Sequence, residues 1–269
     1  MTTMSPEAVA AAGKALFDAE MTGTQIALLS QANPGMDLDD AYAVQDALLA
    51  LRDAAGYKRV GWKIGLTSRA MQEALQITTP DSGVLYDDMV FSNGGTIPAG
   101  RFIQPRVEAE IAFVLKADLK GAELTRADVL AATDYVSPAL ELLDTRILRK
   151  DAVTGAIRKV TDTISDNAAN GGIVMGEGRF DPNTIDLRWM GCILMRDGIV
   201  EETGLGAGVL NDPVEGIIWL ARRLAQYNYG LSAGDIVLSG SFIRPVEAPS
   251  GARFHADYGP YGIVTCDFA

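Results

Sequence analysis

The chain predicts an α+β protein in which a small helical N-terminal cap precedes a strand-rich body of the mixed β-roll or sandwich type. Three observations support this. No two-residue hydrophobic alternation occurs before Arg59. Short alternating runs recur from Gly61 to the C-terminus. Helical patterns interrupt those runs irregularly, without the strand–helix alternation of a doubly wound sheet.

In chain order, Ser5 is placed to cap a helix with Pro6 at its first position, and the Ala-rich run continues it to about Met21. Asn33-Pro34-Gly35 breaks the pattern. Asp37 caps a second helix whose Ala41, Val44, Leu48 and Leu51 share one face, and Gly56 ends it. Strands are expected at 61–66, 83–85, 107–115, 134–143, 172–175, 187–196, 235–239 and 264–268, with helices at 70–75, 126–132 and 213–226. The cap is assigned to residues 1–60 and the body to residues 61–269, with no repeat, linker or low-complexity tract between them.

Composition narrows the function. A chain of 269 residues can bury a sizeable core. No apolar run is long enough to span a bilayer, and the N-terminus lacks the basic-then-apolar pattern of a secretory signal. Cys192 and Cys266 form no Cys-x-x-Cys motif, so a reduced cytoplasmic protein is expected. A net charge of −12 argues against nucleic acid. His255 is the only histidine, which excludes a His-rich metal site, and no Gly-x-Ser-x-Gly elbow accompanies it. Gly176-Glu177-Gly178-Arg179-Phe180 lacks the third glycine and the lysine of a phosphate loop.

The most informative stretch is Pro105-Arg106-Val107-Glu108-Ala109-Glu110-Ile111-Ala112-Phe113-Val114-Leu115. Its period of two places Glu108 and Glu110 on one face, which turns apolar at Ala112 and Val114. Glu-x-Glu alone is an ordinary solvated face. Glu141 changes the balance, because its run Pro138-Ala139-Leu140-Glu141-Leu142-Leu143 holds no cation to pair with it. Three carboxylates without histidine or cysteine suit a hard, oxygen-loving cation, Mg2+ or Mn2+.

Four segments occur in order: Gly61-Trp62-Lys63-Ile64-Gly65-Leu66-Thr67-Ser68, Pro105-Arg106-Val107-Glu108-Ala109-Glu110, Pro138-Ala139-Leu140-Glu141 and Ser165-Asp166-Asn167-Ala168-Ala169-Asn170. Together they resemble the hydratase/decarboxylase family of the fumarylacetoacetase superfold, which handles 2-hydroxy-dienoates from meta-cleavage pathways. The resemblance runs from about Asp39 to Phe268. It implies Mg2+ or Mn2+ held at Glu108, Glu110 and Glu141, a mixed β fold and a homo-oligomer.

Within that resemblance, Lys63 is placed to set an ammonium against a developing oxyanion or the substrate carboxylate. Asp81, in a loop entering a strand, is the candidate for proton transfer, with Ser165 and Asp166 beside it as further catalytic candidates. Asp-Ser-Gly is also a common turn, and Ser-Asp-Asn-Ala can cap a helix. Arg146, Arg149, Lys150, Arg158 and Lys159 concentrate positive charge in an acidic chain. A dicarboxylic 2-oxo acid needs a cation away from the metal, and Arg146, Arg149 and Arg158 are the candidates.

Rival activities remain open at this stage. A decarboxylase would use the same carboxylates, although the 145–161 segment favours a hydratase. An acylpyruvase-type C–C hydrolase would need a His-Glu pair, and His255 is badly placed in sequence to supply it. A non-catalytic metal-stabilised subunit would have little use for Lys63.

Overall fold

The computed structural model of the chain describes residues 2–69, 72–73 and 77–269. Most of the helix expected at 70–75 therefore lies outside the described residues. Helix α1 (Pro6–Thr22) begins at Ser5, whose side chain accepts the Ala8 amide, and stops at Gly23 in the left-handed region. A single turn, α2 (Leu29–Ala32), follows. Asp37 then opens α3 (Leu38–Ala54) with a capping box to Asp40. Leu16 of α1 and Val44 and Leu48 of α3 pack together in a small apolar core.

The strands are β1 (Arg59–Gly65), β2 (Asp81–Tyr86), β3 (Val90–Phe91), β4 (Thr96–Ile97), β5 (Arg106–Leu115), β6 (Thr133–Leu143) and β7 (Asn170–Met175). They continue as β8 (Gly191–Arg196), β9 (Ile199–Leu205), β10 (Ile236–Leu238), β11 (Val246–Glu247), β12 (Arg253–Asp257) and β13 (Ile263–Phe268). Helices α4 (Arg126–Ala132), α5 (Val160–Ser165) and α6 (Pro213–Ala225) interrupt them. The α+β body is thus as expected, while α2, α5, β3, β4, β9, β11 and β12 had no expectation attached. The strand expected at 187–196 contracts to β8.

Two sheets result. The larger runs β2-β1-β10-β5-β6-β7-β3, with β11 also on β5, and the smaller runs β4-β13-β12-β8-β9. Alternation on β5 divides the structure. Val107, Ala109, Ile111 and Phe113 enter the main core with Phe254, Ala256 and Tyr258 of the smaller-sheet region and Ile217 and Leu220 of α6. The opposite face carries Arg106, Glu108, Glu110, Ala112 and Val114.

Register extends that second face across the sheet. Glu108 opposes Glu141 and Glu110 opposes Ala139. Ala112 opposes Leu238, Leu238 pairs with Lys63, and Gly65 with Asp81. Leu85, Ala112, Ala139, Ile173 and Leu238 form an apolar floor on this face. Charged groups from four strands gather at one end of that floor. Among the described residues, no helix is long and apolar enough to cross a membrane.

Candidate metal centre and active site

Glu108, Glu110 and Glu141 each present a carboxylate oxygen, and these oxygens lie within 4.8 Å of one another. Glu110 and Glu141 are fully buried. One oxygen of Glu110 and both oxygens of Glu141 accept no hydrogen bond among the described residues. Buried anions compensated by a single ammonium are costly, so this donor set fits a divalent cation with an all-oxygen preference.

Glu110 is held from outside the trio. The Gly240 amide donates to Glu110 Oε2 at 2.9 Å. Gly240 adopts φ +116, and a Cβ there would lie 2.2 Å from Thr67 Oγ1, so no other residue fits this approach. Ser241, whose hydroxyl donates to the Ile243 carbonyl at 2.9 Å, lies close enough to Glu108 to favour its charged form. From the far side of the sheet, the Tyr258 hydroxyl accepts the Glu110 amide at 3.0 Å and donates to the Ala139 carbonyl at 2.6 Å. That contact locks β5 to β6 beneath the carboxylates.

Lys63 and Asp81 converge on the same place. Lys63 Nζ stands 3.3 Å from Glu141 Oε1. A Cβ on Gly65 would lie 2.2 Å from Asp81 Oδ1 and 2.9 Å from Lys63 Nζ, so the bare Gly65 backbone leaves room for both. Burial pushes the Lys63 ammonium toward neutrality, but Glu141, Asp81, Glu108 and Glu110 outweigh it and hold the proton more tightly than usual. Burial raises Asp81, with Lys63 opposing. Burial, followed by the charge of Glu141, raises Glu108 and Glu110. Glu141 is raised by its own burial against the pull of Lys63.

The remaining candidates divide. Arg146 is 3% exposed, and Asp166 and Asn170 take its donors: Nη1 reaches Asn170 O at 2.9 Å, Nη2 reaches Asp166 O at 2.6 Å, and Nε binds the Asp166 carboxylate. These bonds commit Arg146 to Asp166 and Asn170, and place it in a buried ion pair where the sequence reading expects a substrate carboxylate. Asp166 is its counter-ion and also accepts the Arg146 amide at 2.8 Å, so it is no free acid or base. Ser165 closes α5, and its hydroxyl donates to Thr161 O at 2.9 Å, so it too is structural. Ser165 and Asp166 end α5, and Asp166 also precedes the 3-10 turn Asn167–Ala169 without a side-chain capping bond.

Arg149 and Arg158 stay half-buried, and Arg158 acts electrostatically on Asp81. His255 sits half-buried on β12, paired in register with Met195 and Thr265. Gly65, Thr67, Gly240, Ser241 and Tyr258 escaped the sequence reading as supports of the site. Ser239-Gly240-Ser241, three small residues after a short apolar strand, was the visible signal for a backbone approach.

No general family model matches the chain. Whole-length relatives do. The 2-oxo-hept-4-ene-1,7-dioate hydratase of Escherichia coli is 51% identical over 253 residues, covering 94% of this chain and 95% of the relative. The chain belongs to the hydratase/decarboxylase family of the fumarylacetoacetase-like fold. The 2-keto-4-pentenoate hydratase of Paraburkholderia xenovorans (strain LB400) is 39% identical, covering 98% of this chain and 96% of that relative. The 4-oxalocrotonate decarboxylase from Pseudomonas putida G7, solved with magnesium and adipate, superposes with a TM-score of 0.93 at 31% identity over the full length of both chains. Fumarylpyruvate hydrolase from Pseudomonas aeruginosa, solved with Mn2+ and pyruvate, has a TM-score of 0.61 at 14% identity, covering 79% of this chain and 89% of that one. That last likeness shows the fold alone.

Proposed function

We propose that this chain is a divalent-metal-dependent hydro-lyase that adds water to 2-oxohept-4-ene-1,7-dioate to give 4-hydroxy-2-oxoheptanedioate. The observation behind this is the convergence of Lys63 and Asp81 on three clustered carboxylates, two of them fully buried with unpartnered oxygens, in a chain 51% identical to a hydratase of that name.

Glu108, Glu110 and Glu141 would hold Mg2+ or Mn2+. When bound there, the cation supplies Lewis-acid polarisation of the adjacent carboxylate and keto oxygens of a 2-oxo acid. Lys63, kept protonated by the surrounding carboxylates, places a fixed positive charge where negative charge develops on the keto oxygen. A proton leaves C3 and one is returned at C5, which moves the double bond into conjugation with the keto group. The water oxygen then joins C4 and C3 takes up a proton to replace the one it lost, while water loses one, for a net gain of one water. Asp81 is the buried group able to take and return a proton, and its raised affinity for protons suits that exchange.

The helical cap, residues 1–60, would close one side of the site over the body, residues 61–269. Gln45 of α3 donates to the Ser82 and Ile164 carbonyls, each at 2.9 Å, tying α3 to the residue after Asp81. A homo-oligomer is also proposed, supported by the exposed Trp189, Ile193, Leu205 and Ile263 around the smaller sheet. Such apolar groups are ordinarily covered when clustered.

The test is a steady-state comparison of purified protein, with Mg2+, with Mn2+ and with excess chelator, on five-, six- and seven-carbon substrates. Metal-dependent hydration of the seven-carbon compound is expected. Release of CO2 from the six-carbon compound without hydration of the others would make the chain a decarboxylase.

A further inference from the structure

Three arginines lie on neighbouring segments: the Arg158 amide donates to the Arg149 carbonyl at 3.0 Å, and Arg149 reaches the carbonyl of Gln104, two residues before Arg106. Arg106 lies on β5 two residues before Glu108, so both point to the same sheet face, roughly 7 Å apart along the strand. Arg149 and Arg158 come from the segment between β6 and α5. Burial, then the positive charges of Arg106 and Arg158, pulls the Arg149 guanidinium down to about 10. Arg158 is lowered by its own burial and by Arg106 and Arg146, although Asp166 and Asp162 oppose this.

Their hydrogen-bond partners are mostly neutral, although Glu247 and Asp144 act on Arg149 from nearby. Arg149 donates to Gln104 O at 2.8 Å, and Arg158 Nη1 donates to Thr145 Oγ1 at 2.6 Å. Among the described residues, the one carboxylate bonded by these three arginines is Glu247, which Arg106 Nε reaches at 2.8 Å. Glu247 sits opposite Arg106 across the β5–β11 pairing, and its side chain is 60% exposed. A solvent-facing ion pair of this kind is weak and easily exchanged. Half-buried like charges side by side call for an anion.

We infer that Arg106 and Arg158, with Arg149 at the rim, form the subsite for the far carboxylate of a 2-oxo dicarboxylate whose near end lies at Glu108, Glu110 and Glu141. The inference rests on the hydratase reading and deepens it by assigning the residues that set chain length and charge. Six carbon–carbon bonds span roughly 7 Å, which matches the step along β5 from the carboxylates to Arg106. The buried Arg146–Asp166 pair is a neighbour that takes no part.

Binding of unreactive keto acids tests this without catalysis. 2-Oxoheptanedioate and 2-oxoheptanoate have the same length and differ only in the C7 carboxylate. Calorimetry on the full chain loaded with Mg2+ should show the dioate bound ten- to a hundredfold more tightly. Arg106→Gln and Arg158→Gln should each cut that ratio to a few-fold while the affinity for 2-oxoheptanoate stays within about twofold. A variant that loses both ligands has lost its fold. Arg106→Lys and Arg158→Lys, which keep the charge but give up the two-pronged geometry, then take over the test with a severalfold fall in the same ratio. Equal affinity for the two acids in the unaltered chain, or a ratio unmoved by the substitutions, overturns the assignment. If neither acid binds the Mg2+-loaded chain, the hydratase reading itself fails and takes the inference with it.

Discussion

Glu108 of β5 and Glu141 of β6 face each other directly across an antiparallel ladder, in register, on the same side of the sheet. Two like charges so placed destabilise a sheet. Here burial and mutual repulsion raise Glu108, and Glu110 adds a third carboxylate one pleat away. Among the described residues, the one cation within ion-pair distance of the trio is the Lys63 ammonium, 3.3 Å from Glu141. The charge left over is what makes the trio a cation site.

Removing one ligand should therefore weaken the metal more than the fold. Glu110→Gln or Glu141→Gln is expected to lower Mg2+ affinity at least a hundredfold, read by calorimetry, because a neutral amide replaces a carboxylate ligand. The melting temperature of metal-free Glu110→Gln should hold or rise, since one repelling charge has gone, whereas Glu141→Gln also takes the partner of buried Lys63 and should lower it. Undiminished Mg2+ binding by Glu141→Gln would remove the trio from consideration.

Acidity should act on the metal-free chain in an unusual direction. Glu108 is pushed from 4.5 up to about 8 in the folded state, with Glu110 and Glu141 also raised. The folded chain thus keeps protons that the unfolded chain releases, and its stability falls as pH rises from about 4.5 toward 8. Mg2+ needs the deprotonated carboxylates, so its affinity falls as pH drops through the same window, by up to about tenfold per pH unit for each proton displaced. Melting curves at pH 6 and pH 8, with and without Mg2+, check both signs. A metal-free chain more stable at pH 8 than at pH 6 would contradict the account.

Lys63→Ala should lower kcat about a hundredfold or more with a smaller change in KM, because a charge aimed at a developing oxyanion acts mainly in the transition state. Gly65→Ala should mimic it in part, since the added methyl collides with Asp81 Oδ1. An effect confined to KM would recast Lys63 as a simple binding group.

Arg146→Ala or Asp166→Ala leaves an unpaired charge in a buried site and should cost about 3–5 kcal/mol of stability. Denaturant unfolding measures the loss. The preference for seven-carbon over five-carbon substrate should be unaltered in whatever protein remains folded, in contrast with Arg106→Gln.

Asp40 anchors the N-terminus to α3. Its carboxylate accepts the Thr3 amide at 2.7 Å and the Met4 amide at 2.8 Å. Burial opposes ionisation there, yet these bonds hold the group at about 2, below its usual 3.8. Its contribution is complete above about pH 4 and is lost as pH falls toward 2. Asp40→Ala should cost about 1–3 kcal/mol at pH 7, with the difference from the unaltered chain shrinking below pH 4.

Local rules were enough for part of this protein. The period of two on 107–115 determined that Glu108 and Glu110 share a face and that the face turns apolar at Ala112, because pleating alone sets side-chain direction. The caps at Ser5 and Asp37 fixed where α1 and α3 begin, because unsatisfied amides at a helix start are met by the nearest side-chain oxygen. Long-range packing decided the rest. Nothing near Arg146 in sequence reveals that Asp166, twenty positions on, takes its donors, whereas Arg106, read only as part of a strand, stands beside Arg149 and Arg158. Asp81 meets Lys63 only because β1 and β2 pair in a register that leaves Gly65 bare beneath them. Sequence spacing sets direction within one strand, and only the pairing of distant strands sets which charges meet.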